Sequence, residues 1–118
     1  MLSGTAVDEH LYRFDIYICL ADRYGIQVPP EKVLTVRNAI VDQFGGLTMT
    51  STFGNPVYDG FWKSSTTRKV VRDKNSIFTV LAPQSEETRD YFLKKRKQWQ
   101  RLLNYERLLI TVHELQVL

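Results

Sequence analysis

RKVVRDKNSIFTVLA, residues 68–82, decides how many strands stand between the two helices of this chain. Both ends are rich in β-branched residues, while Asp73, Lys74 and Asn75 interrupt them with a polar run. Asp and Asn satisfy their own backbone in turns, so the pattern predicts a hairpin: 68–72 runs out, 73–75 reverses, and 76–82 returns. Pro83 and Gln84 end the return strand.

Downstream, Ser85 is a helix N-cap, and Glu86 and Glu87 suit the positive end of the helix dipole. A long helix is expected to about Tyr105, with Phe92, Trp99, Leu102 and Leu103 on one stripe and the KKRK run at 94–97 mostly facing away. Residues 108–117 read as a strand, with Ile110 and Val112 on one side and Thr111 and His113 on the other.

Upstream, residues 13–21 alternate in the same way. Phe14, Ile16, Ile18 and Leu20 face one side, and Arg13, Asp15, Tyr17 and Cys19 the other. Pro29, Pro30 and Glu31 open a helix, Val33, Val36, Ile40 and Phe44 recur at helical spacing, and Gly45-Gly46 stops it. Residues 44–67 hold four of the six glycines, with β-rich residues at 47–53, turn signals at Asn55-Pro56 and Asp59-Gly60, and a short returning strand at 61–63.

The order strand, helix, strands, helix, strand predicts an α+β fold, a ferredoxin-like β-α-β-β-α-β sandwich. Both helices should cover one face of an antiparallel sheet whose buried side carries Phe14, Ile16, Ile18, Phe78, Val80, Ile110 and Val112. Residues 47–67 supply an extra hairpin or an irregular connection. Residues 1–12 are expected to form a flexible arm, and 13–118 a single domain.

Composition narrows the function classes. At 118 residues the chain can bury one core without staples. Cys19 is its one cysteine, so neither an internal disulfide nor a cysteine-rich zinc site can be built. The N-terminal residues lack the basic and apolar regions of a secretory signal, and no apolar run is long enough to span a bilayer, so a cytoplasmic protein is expected. Residues 1–59 carry four Lys/Arg against seven Asp/Glu, and residues 60–118 carry twelve against six. That asymmetry reads first as solvated faces of a helix and a hairpin, and second as a surface for an acidic partner.

Phe44 with Gly46, Leu47 and Thr48, then Gly60, Phe61 and Trp62, then the hairpin around Asp73, resemble segments of a family of small uncharacterised bacterial proteins, a domain of unknown function. The resemblance covers roughly residues 14–115. It implies the fold and no activity, and the chain departs from the exported members of that family in lacking a signal.

Three readings of function follow. The leading expectation is a non-enzymatic binding module. It would be a homodimer through the open sheet face, where Tyr17, Cys19, Thr79, Thr111 and His113 join Ile77 and Leu81. The first rival is a small enzyme with a pocket on that face, using His113 as acid or base together with Tyr17. Tyr58, Asp59 and Trp62 form a candidate small-ligand edge, since aromatics beside a carboxylate suit one. Cys19 pairs with His113 only as a thiol nucleophile and its base. The second rival binds nucleic acid through the basic residues of 63–74 and 94–101, notably Lys69, Arg72, Lys94, Lys95, Arg96 and Lys97. No metal site is expected, because His10 and His113 belong to no ligand-spacing motif, and no cofactor motif is present.

Overall fold

The computed structural model describes residues 9–50 and 58–118. Seven elements follow in order: β1 (Glu9–Cys19), α1 (Pro30–Phe44), β2 (Thr48–Met49), β3 (Tyr58–Lys63), β4 (Val70–Pro83), α2 (Glu86–Leu102) and β5 (Ile110–Val117). The five strands form one antiparallel sheet in which β1 lies between β4 and β5. Both β2 and β3 pair with β4, β2 at Phe78 and Thr79 and β3 along its first half. The second strand of a ferredoxin-like β-α-β-β-α-β order is thus present as two pieces against one long neighbour.

The helices begin and end where local chemistry directs. Pro30 occupies the first turn of α1, and Gly45, at φ 86°, ends it by donating its N–H to the Val41 carbonyl. Ser85 caps α2 by accepting the Thr88 N–H at 3.1 Å. Helix α2 stops at Leu102, short of Tyr105, and Asn104 follows in the left-handed region.

The core fills the layer between sheet and helices. Phe14, Ile16, Ile18, Phe78 and Val80 are buried there with Val33, Val36, Ile40, Phe92 and Trp99. Phe92 stacks on Phe14 with ring centroids 4.0 Å apart, and on Phe44 at 5.3 Å. Ile110 is only half-buried and Val112 is 36% exposed, because β5 is the outer strand and the helices do not cover its edge.

Three boundaries differ from the sequence reading. β1 starts at Glu9 and is paired to β5 from its first residue, so His10 sits on a strand; residues 1–8 of the expected arm lie outside the described residues, as do 51–53 of the expected strand at 47–53. The hairpin expected at 73–75 is absent. β4 runs through Asp73, Lys74 and Asn75 without a break, facing Tyr58, Asp59 and Gly60 of β3. Neighbouring backbone takes up part of their hydrogen-bonding capacity in the extended form. The Lys74 carbonyl accepts the Leu20 N–H, and the Asp73 carboxylate accepts the N–H groups of Ala21 and Lys74. The chain reverses instead at 64–69. There Ser64 Oγ accepts the N–H groups of Thr66 and Thr67, Ser64 N–H donates to the Lys69 carbonyl, and Arg68 takes φ 64°.

Candidate functional site

Strand alternation sorts the side chains of the open sheet face into rows. Arg13 lies between Leu81 and His113, Asp15 between Thr79 and Thr111, and Cys19 stands opposite Asn75. The middle of this face is polar. Asp15 is 6% exposed and accepts the Thr79 hydroxyl at 2.7 Å and the Arg13 guanidinium at 3.0 Å. Beyond the end of β1 the face deepens, because β3 and β4 continue past it while the loops after β1 and α2 rise on the other side.

The resulting cavity has a volume of about 450 Å³, within the range of small-ligand sites. Tyr17 and Trp62 give it aromatic walls, and Tyr105 lies against it from the loop after α2. Arg23 and Arg107 supply positive charge, Asp22 and Glu106 negative charge, and Asn75 an amide. Burial opposes the ionised form of Asp22, yet the N–H groups of Tyr24 and Ile26 and the Asn104 amide hold its carboxyl below the usual range.

Beneath the cavity, Asp73 is 5% exposed, and its second carboxylate oxygen has no hydrogen-bond partner. Burial raises its pKa against the pull of the Lys74 and Ala21 N–H groups. The adjacent Cys19 thiol is pushed up to about 12, first by burial and then by the Asp73 charge. Tyr105, whose hydroxyl donates to the Cys19 carbonyl, is raised as well, chiefly by burial. Cys19 is therefore held as a neutral thiol, the opposite of what a nucleophile needs.

The tip of the β3–β4 hairpin is tied to the far wall. Ser65 donates both its N–H and its hydroxyl to the Glu106 carboxylate, and Glu106 itself lines the cavity. Glu106→Ala should release this tie. The expected result is roughly tenfold faster amide exchange across 64–69, the scale of one hydrogen bond to a charged group, with global stability nearly unchanged because the contact is exposed. Unchanged exchange at the tip would show that the strand pairing alone holds it.

The sequence-predicted residues are only partly brought together. Tyr17 and Trp62, assigned to different sites from sequence, share this cavity. His113 does not line it. It is exposed in the row of Arg13, four residues along β1 from Tyr17, a separation of about 13 Å at strand rise, so the two cannot act on one substrate atom. The same register keeps His113 still farther from Cys19. Tyr58 is exposed at the start of β3, and Asp59 points away to pair with Arg72 at 3.2 Å, leaving Trp62 as the cavity's share of that trio.

Of the basic residues weighed for nucleic acid, Arg72 is held by Asp59 and the Lys95 ammonium lies 5.7 Å above the Tyr91 ring. Arg96 lines a separate cleft beside Phe92 and Val112, while Lys69, Lys94 and Lys97 are exposed. Among the described residues, no group of three His, Cys, Asp or Glu side chains is placed to hold a metal ion, and no helix is long and apolar enough to cross a membrane.

Sequence reasoning missed Asn75, Tyr105, Arg23 and Arg107. The available signal was the polar run 73–75 inside a β-rich stretch, which marks a strand lining a site as well as it marks a turn.

No protein-family model matches the chain, and no curated protein matches it. Among solved structures, the chain is similar to a phage SAM lyase in complex with S-methyl-5'-thioadenosine, with 13% identity and a TM-score of 0.66 over 96% of this chain and 88% of that one. At this identity the likeness shows a common fold. It also corrects the leading expectation from sequence. That similar solved structure is an enzyme, and the expectation of a non-enzymatic module gives way to the enzyme alternative weighed from sequence.

Proposed function

We propose that the chain is a small enzyme whose site is the 450 Å³ cavity beside Tyr17, and that it takes a sulfonium nucleoside and releases a thioether nucleoside. The observation that carries this reading is the aromatic-walled cavity on the open face of a fold shared with an enzyme of that substrate class. Cleavage requires the bond between the sulfonium sulfur and its amino-acid arm to break. The bonding electron pair passes to sulfur and neutralises it, and the arm is made neutral by losing a proton or by closing onto its own carboxylate.

The residues suit both ends of such a substrate. Aromatic faces at Tyr17 and Trp62 attract a cation that lacks hydrogen-bond donors, and Asp22 and Glu106 add negative charge to the same chamber. Arg23 and Arg107 complement a carboxylate. His113 has no part in this chemistry. The buried, protonated Cys19 thiol contributes packing rather than attack.

The test is calorimetric titration with S-methyl-5'-thioadenosine, together with chromatography of SAM incubated with the protein. Binding and release of the thioether are expected, with Trp62→Ala weakening binding roughly tenfold, the scale of one lost base–aromatic stack. No binding at millimolar ligand and no thioether release would overturn the proposal. Light scattering on the same samples tests whether two copies associate through the open face. A polar row at Arg13, Asp15 and Thr79 would lie within that contact.

A further inference from the structure

Asn75 is the one cavity-lining side chain with a buried polar atom left unpaired and no charge to explain its position. It stands on β4 opposite Cys19 on one side and Tyr58 on the other, and it lines the cavity with Tyr17 and Trp62. Its Oδ1 is buried and has no hydrogen-bond partner. An asparagine kept only for architecture would bond its amide to a neighbouring backbone or side chain. An orphaned buried acceptor instead costs about 1–3 kcal/mol until something supplies a donor.

Gly60 faces this amide across the strand pair. A Cβ at position 60 would collide with the Asn75 Nδ2 and come within 3.3 Å of its Cγ. Alternation places Gly60 between Tyr58 and Trp62 on the face that carries Asn75, so any larger residue there would fill the space the amide occupies. The backbone at Gly60 does not have a positive φ. Glycine is needed there for room, not for turning.

An amide presents one donor and one acceptor side by side, and its oxygen and nitrogen exchange places at nearly equal volume. The complementary ligand edge is an amino group next to a ring nitrogen, the pairing by which Asn reads adenine. Aromatic side chains in the same chamber offer such a ring its stacking faces. We infer that Asn75 selects an amino-bearing heteroaromatic ring in this cavity, with Gly60 kept small so that the amide is free to do so. The inference rests on the cavity being the ligand site.

The experiment compares two ligands, S-methyl-5'-thioadenosine and its purine counterpart without the 6-amino group, by calorimetry against the wild-type chain, Asn75→Leu and Gly60→Ala. Wild type should prefer the amino ligand roughly tenfold, the worth of about one such pairing. Asn75→Leu should bind both ligands equally, at the wild-type affinity for the deamino ligand, and Gly60→Ala should lose the preference in the same way. Equal affinities in wild type would overturn the role of Asn75, and this arm depends on no variant folding. So would a loss in Asn75→Leu that is the same factor for both ligands, which marks a packing residue. Binding of neither ligand by wild type would overturn the cavity assignment and the inference with it.

Discussion

At pH 8 the Cys19 thiol of the folded protein should react with iodoacetamide roughly a hundredfold more slowly than in the urea-unfolded chain. The ordinary thiol value is 9.0, and burial beside Asp73 raises it to about 12. Each pKa unit is a factor of ten in thiolate, so the reactive fraction falls about a thousandfold. A more basic thiolate is intrinsically the better nucleophile and restores a factor of about 20 over three units. Partial burial in the cavity wall lowers the rate again. Equal rates in folded and unfolded chains would show that the Cys19 environment is not the buried, anion-flanked one described.

The same shift fixes a pH dependence. Between 9 and 12 the unfolded thiol gives up its proton while the folded one keeps it, so the unfolded state binds fewer protons and stability falls as pH rises through that interval. Cys19→Ala should flatten the alkaline limb of the unfolding curve.

Phe92→Ala is expected to lower unfolding free energy by about 3–5 kcal/mol, as read by urea or guanidinium denaturation. Phe92 comes from α2 and meets Phe14 of β1 and Phe44 of α1. Tyr91 lies 5.3 Å away and Trp99 6.4 Å, both edge-on. Removing its ring therefore opens a cavity where both helices and the sheet converge. A domain's whole stability is of order 5–15 kcal/mol, so the variant should be close to unfolding at physiological temperature. Phe92→Leu keeps much of the volume and should lose far less. A loss below about 1 kcal/mol in Phe92→Ala would mean that the aromatic cluster relaxes around the gap.

The elements with clean local chemistry were legible in the sequence. Alternation in residues 13–21 separates Phe14, Ile16 and Ile18 from Arg13, Asp15 and Tyr17, and the structure keeps that division. Pro30, Gly45 and Ser85 mark helix ends because each acts within a few residues of itself. The cavity was not legible, since its walls come from four separate stretches that the β1–β4 and β3–β4 registers help bring together. Asp73 and Asn75 misled for a physical reason. Polar side chains in a strand resemble a turn until their surroundings, here the backbone of Ala21 and the room that Gly60 leaves for the Asn75 amide, are known. Ser64 was the real punctuation, and its signal is a hydroxyl that accepts the N–H groups two and three residues on.

The single long β4 has a consequence for how this chain tolerates change. Its second half runs beside β1 throughout and is joined by β2 at Phe78 and Thr79, whereas residues 70–73 have β3 as their strand partner among the described residues. Side chains in a strand repeat every two residues, so inserting or deleting two residues in each of β3 and β4 beyond Gly60 preserves which ones face inward. Such edits leave the sheet intact while moving Ser65 relative to Glu106 by one pleat. Chamber height above Tyr17 and Asn75 is therefore adjustable in steps of about 6.6 Å by paired length changes, without redesign of the core. Odd-numbered changes in β3 would turn Trp62 out of the chamber altogether.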